Sequence, residues 1–140
     1  MRRLENASLL NAIANQPDVR SMIFVGLRHS EEPLEFDQVA DDPNNYVLED
    51  HGFCAIFQWS APGIYECHLI SLKVARGKHA MEAGHAMLAY MKERGASMVW
   101  GRPSVYNRAA ICYIRRMGLL SKGLGSHPVV GEVEYFVKEL

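Results

Sequence analysis

Apolar and polar positions alternate most clearly in the middle of the chain. β-rich runs at 46–49, 53–59 and 64–74 are separated by Asp50-His51-Gly52 and Ala61-Pro62-Gly63, which predicts an antiparallel meander. In the third run, Glu66, His68 and Ile70 share one face, and Tyr65, Cys67 and Leu69 share the other. One face of an otherwise apolar sheet therefore carries two titratable groups. After Arg76-Gly77-Lys78-His79-Ala80 the period becomes helical: Ala80, Gly84, Met87, Leu88 and Met91 form a stripe, with Lys78, Glu82, His85, Lys92 and Glu93 pointing away. Gly84 within that stripe weakens a helix by about 1 kcal/mol relative to Ala, which predicts close packing of the helix on the sheet. Gly95 ends the helix and 97–101 reads as another strand. Strand, crossover helix and strand then make a right-handed parallel βαβ unit.

The flanks are less periodic. Leu9, Leu10 and Ile13 predict a short amphipathic helix over 6–15 that Pro17 ends, whereas the apolar run 19–27 fits helix or strand equally. Residues 29–45 hold Glu31, Glu32, Glu35, Asp37, Asp41 and Asp42 against no Lys or Arg. They read as a solvated connecting loop, or as a flap whose carboxylates attract a cationic amine. Beyond Arg102-Pro103, a helix over 107–117 turns Ala110, Ile114 and Met117 inward and Arg108, Arg115 and Arg116 outward. A final strand over 131–139, with Val133, Tyr135 and Val137 opposite Glu132, Glu134 and Phe136, closes the sheet. No repeat or linker divides residues 1–140, so the chain reads as one α/β domain, which at this length buries about two thirds of its unfolded surface.

Composition narrows the functional classes. A net charge of -1 and a pI near 6.6 argue against a nucleic-acid binder. No apolar run approaches the roughly 20 residues of a membrane span, and no apolar stretch follows Met1-Arg2-Arg3 as in a signal peptide, so a cytoplasmic protein is expected. Cys54, Cys67 and Cys112 include no C-x-x-C pair and lie in apolar segments, which predicts reduced, buried thiols. No metal site is expected: there is no H-E-x-x-H, and His79 and His85 are six residues apart. Cys67 and His68 point to opposite faces of their strand and so cannot share a proton as a nucleophilic pair.

The chemistry concentrates at the glycine turn. A strand that breaks into a helix through Gly77 leaves unpaired backbone N–H groups at the positive end of the helix dipole, where an anion such as phosphate is attracted. The turn lacks both G-x-x-x-x-G-K-[ST] and G-x-G-x-x-G, which disfavours ATP and NAD. Downstream, Asn107-Arg108-Ala109-Ala110 opens a helix that closes with Arg115-Arg116-Met117-Gly118-Leu119. The combination of R-G-x-x-A on one helix with N-x-x-A and R-x-x-G-[LF] on the next resembles the GNAT-type N-acetyltransferases. Tyr65-Glu66-Cys67-His68 ahead of Arg76-Gly77 is similar to a phage-associated branch of that superfamily.

The resemblance implies a mixed, mostly antiparallel sheet flanked by helices, with a central parallel pair that splays to admit acetyl-coenzyme A as cosubstrate. It places Arg76, Gly77, Lys78, His79, Ala80 and Met81 around the pyrophosphate and Asn107 beside the pantetheine arm. A backbone N–H between Leu72 and Val74 would hold the thioester carbonyl. Glu66 and His68 are the candidate bases, since burial in an apolar sheet tends to keep His neutral and raise a carboxylate pKa; a structural His–Glu pair is the alternative. Many members carry an acidic Tyr seven residues after the helix Asn. That position is Ile114 here, and Tyr113 lies one residue earlier, about 100° around the helix. The implied activity is acetyl transfer to a primary amine of a small molecule or protein, by a chain that pairs as a homodimer. The alternative is a non-catalytic phage- or prophage-derived binding or assembly protein of the same fold.

Overall fold

The computed structural model describes residues 1–25 and 31–140. Among these, seven strands form one sheet: β1 (Arg2–Arg3), β2 (Tyr46–Asp50), β3 (Phe53–Ala61), β4 (Ile64–Ser71), β5 (Met98–Gly101), β6 (Leu120–His127) and β7 (Gly131–Glu139). Their order across the sheet is β1-β2-β3-β4-β5-β7-β6. Five helices flank it: α1 (Ser8–Ala14), α2 (Pro17–Ile23), α3 (Asp37–Asp41), α4 (Lys78–Glu93) and α5 (Arg108–Arg116).

The meander and the βαβ unit form as the alternation predicts, and β4 and β5 make the sheet's parallel pair. That pair meets only at Ile64↔Met98, Tyr65↔Val99 and Glu66↔Trp100. Beyond Glu66, β4 runs on to Ser71 against β3 alone, while β5 ends at Gly101. The sheet therefore opens into a V at its centre.

Each face of the sheet has its own core. Phe53, Phe57, Val99 and Phe136 pack with Ala80, Ala83, Met87 and Met91 of α4. On the other face, Val47, Cys54, Ile56 and Ile70 pack with Leu10, Ile13 and Ala14 of α1 and Val19 of α2. The α4 stripe is buried as its period requires, and His85 is exposed.

Several boundaries differ from the sequence reading. Pro17 begins α2 instead of merely ending α1, because proline at the first helical position gives up an N–H that would have no partner anyway. The ambiguous run 19–27 is helical through Ile23, and its residues 26 and 27 lie outside the described residues. The acidic segment 29–45, whose residues 29 and 30 also lie outside them, contains α3. Its six carboxylate side chains are exposed, while Leu34, Phe36 and Val39 pack against the α1 side of the sheet. The strand expected to reach Val74 stops at Ser71; a 3₁₀ turn (Lys73–Ala75) then buries Ala75 and leaves Val74 88% exposed. β7 lies inside the sheet between β5 and β6, so β6 and not β7 is the edge. Gly84 does admit a close neighbour, but that neighbour is α5 rather than the sheet. A Cβ there would sit 2.0 Å from the Tyr113 hydroxyl and 3.0 Å from Met117 Cε.

Candidate active site

Two clefts open on the V. The first, about 390 Å³, is lined by Ser71, Arg76, Gly77, Met81, Asn107 and Tyr113 among others. Gly77 is the N-cap of α4 with φ 78° and ψ -135°, backbone that side-chain-bearing residues rarely adopt. The first helical bond runs from Met81 N–H to Gly77 O at 3.1 Å. The N–H groups of Lys78, His79 and Ala80 thus have no acceptor within the helix. Arg76 Nη2 donates to Ser71 O at 3.2 Å, and Lys78 Nζ lies 3.7 Å from Glu82 on the solvent side. The His79 ring bonds Asp50 O at 2.8 Å, so it anchors the start of α4 to the end of β2. Cys112 lines this cleft and is exposed, contrary to the expected burial, because it lies on the outer side of α5; Cys54 is buried and Cys67 partly so.

The second cleft, about 400 Å³, is lined by Gln58, Glu66, His68, Arg102, Asn107 and Ile114 among others. Ile23, Leu69, Ile70, Asn107 and Ala110 line both clefts, so the two meet at the open end of the V. Asn107 caps α5 with its Oδ1 accepting from Ala110 N–H at 3.1 Å.

The β3–β4 ladder decides which main-chain groups face the opening. Leu72 N–H donates to Gly52 O at 2.9 Å. With the register Cys54↔Ile70 and Ile56↔His68, every second residue of β4 then bonds toward β3. Leu69 and Ser71 present their main-chain groups to the other side, into the V. Leu72, expected to supply a donor, has its N–H committed to β3, and Val74 lies on the 3₁₀ turn and lines neither cleft.

Glu66 and His68 come together with a residue that the sequence did not single out, Arg102. Glu66 is 7% exposed, with Arg102 Nε 3.3 Å from each of its oxygens and His68 Nε2 3.2 Å from Oε1. Burial alone would raise the Glu66 pKa, but the hydrogen bond and charge of His68, and then Arg102, outweigh it and hold the pKa below its ordinary value. The expected rise does not occur, because the hydrogen bond and charge of His68 outweigh burial, and Arg102 adds a second cation that the local sequence lacks. With a carboxylate at Nε2, the favoured neutral tautomer carries its proton there and leaves Nδ1 bare. The His68 side chain is 43% exposed.

Tyr113 does not reach around α5. Its hydroxyl donates to Ala80 O at 2.7 Å and its ring tilts against Phe53 at 5.8 Å between centroids. Burial, then the Cys67 sulfur, pushes the phenol pKa upward. Cys67 itself is pushed up to about 12 by burial and by Glu66. Outside both clefts, Asp50, His51 and His79 hold ligand-type atoms within 4.8 Å of one another, and His51 Nδ1 already bonds Asp50 Oδ1 at 2.6 Å.

No protein-family profile matches the chain, and no curated protein does. Solved structures do match. A ribosomal-protein-alanine N-acetyltransferase from Brucella melitensis aligns over 99% of this chain and 98% of its own, with TM-score 0.72 at 16% identity. The spermidine N-acetyltransferase of Vibrio cholerae, in complex with CoA and spermine, aligns over 99% and 93%, with TM-score 0.72 at 17% identity. An aminoglycoside acetyltransferase, AAC(6')-Ib, in complex with coenzyme A, aligns over 99% and 92%, with TM-score 0.72 at 15% identity. At such identities the likeness is one of architecture. The seven-stranded sheet with its single parallel, splayed pair is the GNAT acetyltransferase fold.

Proposed function

We propose that the chain is an acetyl-coenzyme A-dependent N-acetyltransferase acting on a primary amine. The observation that carries this reading is the continuity of the two clefts through the V, with unpaired N–H groups of α4 at one end and a His–carboxylate pair at the other. Coenzyme A would lie in the first cleft, its pyrophosphate at the N–H groups of Gly77 to Ala80 with Arg76 nearby, and its pantetheine arm along β4 past Asn107. Leu69 N–H is the donor of choice for the thioester carbonyl, since it faces the V.

His68 would act as the base. Nδ1 takes a proton from the acceptor ammonium, and Glu66, kept ionised by Arg102, holds the ring and stabilises the imidazolium. The free amine attacks the carbonyl carbon, the C–N bond forms, the C–S bond breaks, and the newly bonded nitrogen gives up its extra proton to solvent. The thiolate takes its proton from solvent, because the Tyr113 hydroxyl is bonded to Ala80 O and Ile114 has no proton to give.

The occupied Tyr113 hydroxyl also favours a second reading, a non-catalytic binding protein with the same coenzyme A cleft. The finer resemblance to a phage-associated branch rests on Tyr65-Glu66-Cys67-His68 and Arg76-Gly77 alone. Calorimetric titration with acetyl-coenzyme A, followed by detection of free thiol on adding amines, separates these readings. Binding with thiol release supports the enzyme, binding without release supports the second reading, and absence of binding rejects both.

A further inference from the structure

The second cleft has an unusual charge balance for a site that would receive an ammonium group. Its titratable side chains among the described residues are Glu66, His68, Cys67, Arg102 and His127. Glu66 is the one carboxylate, and both of its oxygens already face Arg102. His127 Nδ1 accepts from Val129 and Val130 N–H at 3.0 and 3.1 Å, so it offers a ring donor rather than an acceptor to the cleft. The acidic segment nearby does not add to this balance. It turns Phe36 and Val39 to the cleft, while Glu31, Glu32, Glu35, Asp37, Asp41 and Asp42 are exposed and line neither cleft. The remaining wall is largely apolar, with Ile23, Ile56, Ile70 and Val130 prominent.

A substrate with several ammonium groups would therefore place its second charge against hydrocarbon or beside the Arg102 guanidinium, without a carboxylate to receive it. Either arrangement is costly, since burying an unpaired charge and opposing like charges both disfavour binding. Resting on the acetyltransferase reading above, we infer that the acceptor is a small primary monoamine with an apolar body. Its amine sits at His68 and its hydrocarbon or aromatic portion packs on Phe36, Val39 and Ile56. The polycationic ligands bound by the spermidine and aminoglycoside enzymes are a different class.

The test compares 2-phenylethylamine with spermidine in the free-thiol assay, on protein whose acetyl-coenzyme A affinity has first been measured by calorimetry. The expected kcat/KM ratio favours 2-phenylethylamine by at least about tenfold. Gln58→Glu, an isosteric change at an exposed position across from Glu66 in the β3–β4 register, adds a second carboxylate to the cleft and should cut that preference by about tenfold. Val39→Glu on α3 provides an independent carboxylate at another wall. Equal or better turnover of spermidine by the unmodified chain overturns the inference, and so does turnover of other amines with none of 2-phenylethylamine. Failure at the calorimetric step, or binding with no thiol release from any amine, instead rejects the acetyltransferase reading beneath it.

Discussion

Gly84→Ala is the sharpest probe of how α4 and α5 fit together. In an isolated helix the change would stabilise by about 1 kcal/mol. Here the new Cβ would lie 2.0 Å from the Tyr113 hydroxyl, which must retreat to about 3.4 Å for ordinary contact. A retreat of that size breaks its 2.7 Å bond to Ala80 O. The lost bond costs about 1 kcal/mol and the forced repacking about 1–3 kcal/mol, so after the helix gain the net destabilisation is about 2 kcal/mol. Tyr113→Phe alone loses only the hydrogen bond. In that background the hydroxyl is gone, and the nearest remaining neighbours are the flexible terminal atoms of Met117 at 3.0 and 3.1 Å. Gly84→Ala should then be close to neutral. Urea unfolding of the four proteins reads this directly, since about 2 kcal/mol moves the midpoint by roughly 1 M at a typical m-value. If the two substitutions add within about 0.5 kcal/mol, the hydroxyl is not what excludes a side chain at position 84, and the reasoning fails.

Four further outcomes test the site. Tyr113→Phe is expected to leave kcat within about threefold, whereas removal of a true general acid would cost about a hundredfold or more, so a large loss in the free-thiol assay would restore Tyr113 to the chemistry. His68→Gln is expected to lower kcat/KM by about 10²–10⁴ while calorimetry finds acetyl-coenzyme A affinity unchanged; a parallel loss of affinity would make His68 structural. Gly77→Val forces a side chain into φ 78° and should weaken acetyl-coenzyme A binding at least tenfold, at a strain of about 1–3 kcal/mol; unchanged affinity would remove the phosphate site from α4. Because the folded pKa of Glu66 is depressed below its ordinary 4.5, its ionised form stabilises the fold above that value and loses this contribution as pH falls through the folded pKa. The stability deficit of Glu66→Gln, measured by urea unfolding, should therefore shrink below about pH 4.5; a deficit independent of pH would mean that the Arg102 and His68 contacts do not depend on the charge.

The sequence made the β2–β4 meander and the β4–α4–β5 crossover legible because each is written locally, in period-2 runs, Gly-bearing turns and a period-3.6 stripe. It left β6 unmarked. Leu120-Ser121-Lys122-Gly123-Leu124-Gly125-Ser126-His127 has two glycines and little alternation, and its strand character comes from pairing along β7. β1 is two residues long and is fixed by register with Glu49 and Leu48. Val74 misled because an apolar residue at the end of an apolar run reads as strand, although the chain had already turned. At the candidate site, the shared face of Glu66 and His68 was legible from strand parity. Arg102 was not, since its closeness to Glu66 follows from the parallel rung between Glu66 and Trp100, a register that no short window of sequence contains. The same holds for which main-chain N–H groups face the V, Leu69 and not Leu72, since that depends on the phase of the ladder with β3.

The three rungs between β4 and β5 also have a mechanical meaning. The sheet is two plates, β1-β2-β3-β4 and β5-β7-β6, joined by a short seam at one end. The β2–β3, β3–β4 and β6–β7 hairpins on either side have longer ladders than this seam, which α4 covers as the crossover from β4 to β5. A molecule wedged into the open end would touch both plates and act as a fastener, shifting the load off those rungs. Parting along this seam is expected to separate the β2–β3–β4 and β6–β7 hairpins as units, before either hairpin loses its own rungs.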